Sequence, residues 1–155
     1  MEKRSPVLRA QAEVDVTVEQ ARDWFLSLRE HPERYKFDTH EGFQFVDGDF
    51  GEVGARFKTR EQFLFFKLEL LFELTEVEES AFWFRLIAPV SMGIWGRFDI
   101  IGGEEKGIRL SLDIGSDTKA GRLMLCCYPV AVLIHRQIYG EISHIKWSME
   151  RTFRT

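Results

Sequence analysis

The sequence predicts an α+β fold in which an antiparallel sheet is covered by one long C-terminal helix. Three observations carry that reading. Ile134, Ile138, Ile142, Ile145 and Met149 recur at intervals of four and three, so they share about 80° of arc on an α-helix. From Glu41 onward the apolar residues change to a spacing of two, in runs broken mostly by turn residues. The chain also holds 14 Phe and 4 Trp in 155 residues, which points to a large apolar interior surface.

A chain of this length makes one domain, expected over residues 1–155, and buries a core without disulfides. The only cysteines, Cys126 and Cys127, are adjacent; they read as two small apolar thiols in a reducing cytosol. The start Met1-Glu-Lys-Arg-Ser-Pro has no apolar run, and the apolar stretch Leu123 to Ile134 is too short to cross a bilayer. A cytoplasmic protein is expected. A net charge of −4 argues against a nucleic-acid partner, because phosphate binding needs clustered Lys and Arg.

In chain order, Val7 to Val16 alternates, with Leu8, Ala10, Ala12, Val14 and Val16 on one face, and predicts a half-buried strand. Thr17-Val-Glu-Gln20 has the form of a capping box, and Val18, Ala21, Phe25 and Leu28 give the helix after it an apolar side. His31-Pro32 ends that helix, and residues 33–37 suit one further turn. Six strands follow, near 40–47, 53–63, 67–77, 81–88, 93–101 and 107–115. The connections are short enough for hairpins only, so the strands form a meander. Pro129 suits a first helical position, and the helix from there to Phe153 spans about 36 Å.

This order resembles the helix-grip fold of the START, birch-pollen-allergen and polyketide-cyclase superfamily (SRPBCC). The resemblance rests on Val16-Thr-Val-Glu-Gln-Ala-Arg-Asp-Trp-Phe25 followed by His31-Pro-Glu-Arg-Tyr35, on Gly51-Glu-Val-Gly-Ala-Arg-Phe57, and on Glu141-Ile-Ser-His-Ile-Lys-Trp-Ser-Met-Glu150, and it covers nearly the whole chain. It implies a curved sheet gripping the C-terminal helix, with a cavity between them for a small hydrophobic or lipid-like ligand. The residues expected to line it are Phe57, Thr59, Glu61, Leu70, Phe72, Phe84, Leu86, Phe98, Leu110 and Leu112 from the sheet, with His135, Ile138 and Ile142 from the helix. The superfamily includes lipid carriers, hormone receptors, cyclases, hydrolases and chaperone co-activators, so the fold alone does not choose among them.

Few polar groups fall on the expected inner face. Glu61 is one, and an apolar pocket would raise its pKa; the favoured reading instead shifts its strand by one residue and leaves Glu61 in solvent. His135 and Glu141 flank the helical stripe about 60° to either side of its centre, where either can reach a cavity or, as a boundary residue, turn its polar end to water. His144 and Trp147 lie on the far side, which suits a surface role or an oligomer contact. Asp38 and His40 fit the pocket rim and read as solvated. The four histidines show no ligand-like spacing, so no metal and no cofactor is expected. Arg85 and Arg97 are expected on the outer face, opposite Trp95 and Trp83 and stacked on them.

The two ends of the meander differ in composition. One carries Asp47, Asp49, Glu52, Glu78, Glu79, Glu104 and Glu105; the other carries Leu64, Phe65, Phe66, Val90, Met92, Leu125 and Tyr128, with Lys67, Lys119 and Arg122 beside them. The apolar end is expected to form a rim built from Phe65, Phe66, Val90, Met92, Leu125 and Tyr128 that meets a membrane surface or a second copy of the chain. The first functional expectation is binding, and possibly transport, of a small hydrophobic ligand. The alternatives are a cyclase- or hydrolase-type enzyme using Glu61, His135, Asp38 or His40 as acid or base, and a partner-binding module resembling the chaperone co-activators.

Overall fold

The computed structural model describes residues 4–103 and 106–154. Strand β1 (Leu8–Val14) opens the chain and turns Ala10 and Val14 into the core. Helix α1 (Val18–Leu26) begins where it does because Thr17 and Gln20 satisfy each other's backbone: the Gln20 N–H donates to Thr17 Oγ1 at 3.1 Å, and the Thr17 N–H donates to Gln20 Oε1 at 3.0 Å. Ala21, Trp24 and Phe25 of α1 are buried, as is Leu28 just beyond it. Two short 3₁₀ turns, Ser27–Arg29 and Pro32–Tyr35, then carry the chain to the sheet.

Strands β2 (His40–Asp47), β3 (Arg56–Phe63), β4 (Phe66–Val77), β5 (Ala81–Ala88), β6 (Ile94–Gly102) and β7 (Ile108–Ser116) follow as the expected meander, and β1 adds to β7, giving one antiparallel sheet in the order β1-β7-β6-β5-β4-β3-β2. β3 starts three residues later than its pattern suggested, because Gly48 and Gly54 both take positive φ and make the connection a compact loop. The indistinct break near 64–66 is a two-residue hairpin turn closed by the Phe63–Phe66 pair. Leu64 takes φ +51 in that turn, a conformation that normally favours Gly or Asn.

The outer face is not uniformly wet. Trp83 pairs with Arg97 and Trp95 with Arg85, in the register expected from a turn centred on Val90, yet both indoles are buried and their rings lie 5.2 Å apart. The Arg97 guanidinium sits 4.6 Å from the Trp83 ring centroid, whereas Arg85 turns away to Glu73 at 2.7 Å. On the inner face the tip of the Phe84 ring lies over Gly96, so close that a Cβ there would meet it at 2.2 Å. This bare stretch of backbone is what lets the ring settle against the sheet.

Helix α2 (Lys119–Cys126) has no counterpart in the expected elements; its start is fixed by Thr118, whose Oγ1 accepts from the Gly121 N–H at 2.9 Å. Helix α3 (Val130–Phe153) has 24 residues, and Pro129 stands one position before its first turn. Its C-terminal half seals a solid core: Ile142, Ile145 and Met149 pack with Trp24, Phe25 and the inner residues of β1, β6 and β7. Trp24 Nε1–H donates to Ser148 Oγ at 3.1 Å, tying α1 to α3. Among the described residues no single helix is long and apolar enough to cross a membrane.

Candidate functional site

The N-terminal half of α3 does not close on the sheet. Between them lies a cavity of about 230 Å³. Phe57, Thr59 and Glu61 of β3 line it, with Leu70 and Phe72 of β4, Phe84 and Leu86 of β5, Phe98 of β6, Leu112 of β7 and Ile138 of α3. Met124 and Leu125 of α2 form part of its wall. Three residues expected there stand elsewhere. Leu110 and Ile142 are buried in the solid half of the core, and His135 is exposed.

His135 points away because α3 is rolled. Its buried residues, Gln137, Ile138, Glu141, Ile142, Ile145, Ser148 and Met149, are centred about 30° from the middle of the isoleucine stripe, toward Glu141. The roll brings Gln137 and Glu141 inside and sends His135, on the opposite flank, to solvent. Leu125, expected on the rim, is also inside: it is 1% exposed, while its neighbour Leu123 is 73% exposed. Of the other rim residues Phe65, Phe66, Val90 and Tyr128 are exposed, Phe65 at 93%, and Met92 is half-buried. His144 is not a free surface residue either. It stacks on Phe37 with centroids 4.8 Å apart and reaches the Arg34 carbonyl at 3.2 Å.

The cavity's polar wall is a cluster that the sequence disperses over a hundred residues. Glu61 is turned inward, contrary to the solvated reading, and only 7% exposed. Opposite it in the sheet is His40, fully buried. Simple alternation from the inward Phe43 and Phe45 would send His40 outward, but β2 carries a bulge between His40 and Gly42 that reverses the parity. Asp38, its expected rim partner, stays exposed. His40 Nε2 lies 3.7 Å from Glu61 Oε1 and 3.7 Å from Glu141 Oε1. Tyr35 O–H donates to Glu141 Oε1 at 2.5 Å, Thr59 O–H to Glu61 Oε1 at 3.2 Å, and Gln137 Nε2–H to the Thr39 carbonyl at 3.1 Å. Tyr35 and Gln137 are the members that sequence reasoning missed; Tyr35 closes the His31–Tyr35 segment, and Gln137 sits one turn before Glu141 on the same flank.

Burial governs the protonation of this cluster. It pushes the Glu61 carboxyl up to about 7 against the single opposing influence of the Thr59 hydroxyl. Burial, then the charge of Glu61, raise Glu141 well above the carboxylate range. The same desolvation lowers His40 to about 4, so its imidazole is neutral at physiological pH. What results is an apolar chamber with two acids in its wall, Glu61 and Glu141, and a neutral imidazole buried beside them. Such groups can hydrogen-bond a ligand's polar end or exchange a proton with it.

No family model and no curated protein matches this chain. Solved structures do. TTHA0849 from Thermus thermophilus superposes with a TM-score of 0.69 at 14% identity, over 95% of this chain and 99% of that one. The ginseng major latex-like protein 151 from Panax ginseng gives a TM-score of 0.65 at 13% identity, over 96% and 97% of the two chains. The di-domain ARO/CYC BexL of the BE-7585A biosynthetic pathway gives 0.67 at 10% identity, over 95% of this chain and 47% of that one. At these identities the likeness is one of architecture. A seven-stranded antiparallel sheet wrapped around a long C-terminal helix, with short helices after the first strand, gives this chain the helix-grip fold that these structures share.

Proposed function

We propose that the protein binds a small, mostly apolar molecule carrying one polar hydrogen-bonding group. The observation that carries this is the cavity: about 230 Å³ walled by Phe and aliphatic side chains, with Thr59, Glu61, Gln137 and Glu141 confined to one part of the wall. An apolar cavity of roughly 150 Å³ in another protein stays dry and takes benzene, so this one has room for a larger ring system. Burial of the ligand's apolar surface supplies the affinity, and the polar group fixes its orientation. The test is a titration with an environment-sensitive apolar fluorophore, comparing wild type with Ile138→Trp, which places an indole in the cavity. Wild type binds with a blue-shifted emission and the variant does not; equal binding by both folded proteins would remove the cavity as the site.

A second reading is acid–base catalysis of the cyclase or hydrolase type, and one observation favours it. Glu61, held at about 7, can both give and take a proton near neutral pH. An enzyme consumes what it binds, so small molecules copurifying from the native host should accumulate intact on Glu61→Gln and not on wild type. A pure binder retains the same molecule in both.

The apolar end of the sheet supplies the entrance. Leu64, Phe65, Phe66, Val90, Leu123 and Tyr128 are all exposed there, and Lys119 and Arg122 flank them, while Asp47, Asp49, Glu52, Glu78 and Glu79 mark the opposite end; Glu104 and Glu105 lie outside the described residues. This polarity turns the mouth toward an anionic membrane surface, from which the ligand is taken. Sedimentation with anionic vesicles should be reduced by Phe65→Ser/Leu123→Ser. Negligible binding by both proteins, with a wild-type dimer that the substitutions dissociate, would assign this end to a homodimer instead.

A further inference from the structure

Three residues from three different elements aim metal-ligating atoms at one point in the cavity wall: His40 of β2, Glu61 of β3 and Glu141 of α3, all with their ligand atoms within 4.8 Å of one another. We propose that they form a mononuclear site for a first-row divalent transition-metal cation, Zn²⁺ or Fe²⁺, whose remaining coordination positions open into the apolar cavity. The sequence spacing gives no sign of it. The set unites two neighbouring strands and a helix across the chamber, and its histidine faces inward only because of the β2 bulge.

The geometry fits. Donors bound at about 2.0–2.2 Å to one tetrahedral ion stand roughly 3.4 Å apart. His40 Nε2 is 3.7 Å from an oxygen of each carboxylate, so a few tenths of an ångström bring each pair onto a common ion. The two carboxylate oxygens lie within 4.8 Å of each other and have further to close to share the ion. By hydrogen-bond geometry neither buried ring nitrogen of His40 has a partner among the described residues; the Tyr35 backbone acts on the ring only as a distant acceptor, too weak to offset its burial. Buried imidazole nitrogens without partners are costly, and coordination of Nε2 satisfies the one that faces the acids.

The chemistry of the donors narrows the ion. One imidazole nitrogen and two carboxylate oxygens suit Zn²⁺, Fe²⁺ and their neighbours; Ca²⁺ and Mg²⁺ take oxygen ligands in greater number, and Cu⁺ seeks sulfur. The incoming cation displaces the acids' protons to solvent, after which two carboxylates and a neutral imidazole cancel its double positive charge, so the loaded site is neutral overall, the condition under which a charge persists in an apolar wall. Each carboxylate is already held by a hydroxyl, Glu141 by Tyr35 at 2.5 Å and Glu61 by Thr59 at 3.2 Å, the outer support that ligating carboxylates use. Three protein ligands leave a position free, as in sites that bind or polarise a substrate. A ligand in the cavity would present its polar group there.

Co²⁺ is the probe, because its visible absorption reports low-coordinate N/O ligation directly. Chelator-stripped wild type titrated with Co²⁺ should develop that absorption to a stoichiometric end point, reversed by Zn²⁺. Glu61→Gln and His40→Gln should each weaken Co²⁺ by at least about 100-fold, and Thr59→Val by about 10-fold. Folding of each variant is checked by circular dichroism, and Glu141→Gln replaces His40→Gln if that protein does not fold. Absence of the absorption, or undiminished affinity in folded Glu61→Gln, overturns the proposal and leaves an acid cluster held by hydrogen bonds. The apolar fluorophore is titrated in parallel with chelator present. Fluorophore binding without Co²⁺ binding refutes the metal site and spares the cavity reading, and the converse result refutes the cavity reading and spares the metal site.

Discussion

The two halves of α3 face the same sheet and do opposite things. From Ile142 to Met149 the helix is pressed onto aromatic and aliphatic side chains with its one buried hydroxyl, Ser148, bonded to Trp24. From Ile134 to Glu141 it spans a chamber and presents Gln137 and Glu141 to it. The difference lies in what stands opposite. Helix α1 brings Trp24 and Phe25 under the C-terminal half, whereas the N-terminal half is flanked by the short α2 and by the last residues of β3 and the first of β4. A single helix thus closes a packed core at one end and roofs an open chamber at the other.

The largest expected effect separates the halves directly. Ile142→Ala, in the solid half, should lower stability by about 2–5 kcal/mol because its neighbours cannot collapse into the space. Ile138→Ala borders a void that already denies it contacts, so its cost should fall near or below the bottom of that range. Denaturant midpoints compare the two; equal losses would mean that the chamber is packed in solution.

The next effect depends on pH. Folded Glu61 holds its proton up to about 7, against an ordinary 4.5, so the folded state binds more protons across that window and loses stability as pH rises through it. His40 opposes this. It stays neutral down to about 4 against 6.5, so the unfolded chain binds the extra proton and stability rises with pH over that span. Glu61→Gln removes the first contribution and leaves the second. In the presence of chelator it should be more stable than wild type at pH 8 by about 1–3 kcal/mol and lose that advantage at pH 5. A difference independent of pH would place Glu61 in solvent.

The smallest effect belongs to neither half. Arg85→Ala on the outer face breaks an exposed ion pair with Glu73 and should cost under about 1 kcal/mol, less in high salt, while fluorophore affinity is unchanged. Loss of binding in this variant would mean that the outer face reports on the chamber.

Where periodicity speaks, the sequence is legible: the isoleucine stripe, the meander and the Trp83–Arg97 register all follow from spacing, because many weak preferences agree along each element. The acid cluster is less so, for local reasons. One extra residue in β2 reverses His40, a roll of about 30° in α3 exchanges Glu141 for His135, and neither leaves a mark in composition. Thr59 and Glu61 follow from strand alternation alone, yet Glu61 looks misplaced until its partners from distant segments are seen beside it. α2 was hidden for a different reason: eight residues containing a glycine carry too short a pattern to be distinguished from a loop.

Gly96 has a bearing on how this scaffold can change. The Phe84 ring rests on it and forms part of the chamber floor, so any side chain at position 96 must lift that ring into the space above. Chamber volume is therefore adjustable from a residue that does not itself line the chamber, by a single methyl group, with the acid cluster untouched. A lineage, or a designer, could trade one ligand size for another at that position while every polar contact stays in place. A Gly96→Ala protein that prefers smaller fluorophores than wild type would display that freedom.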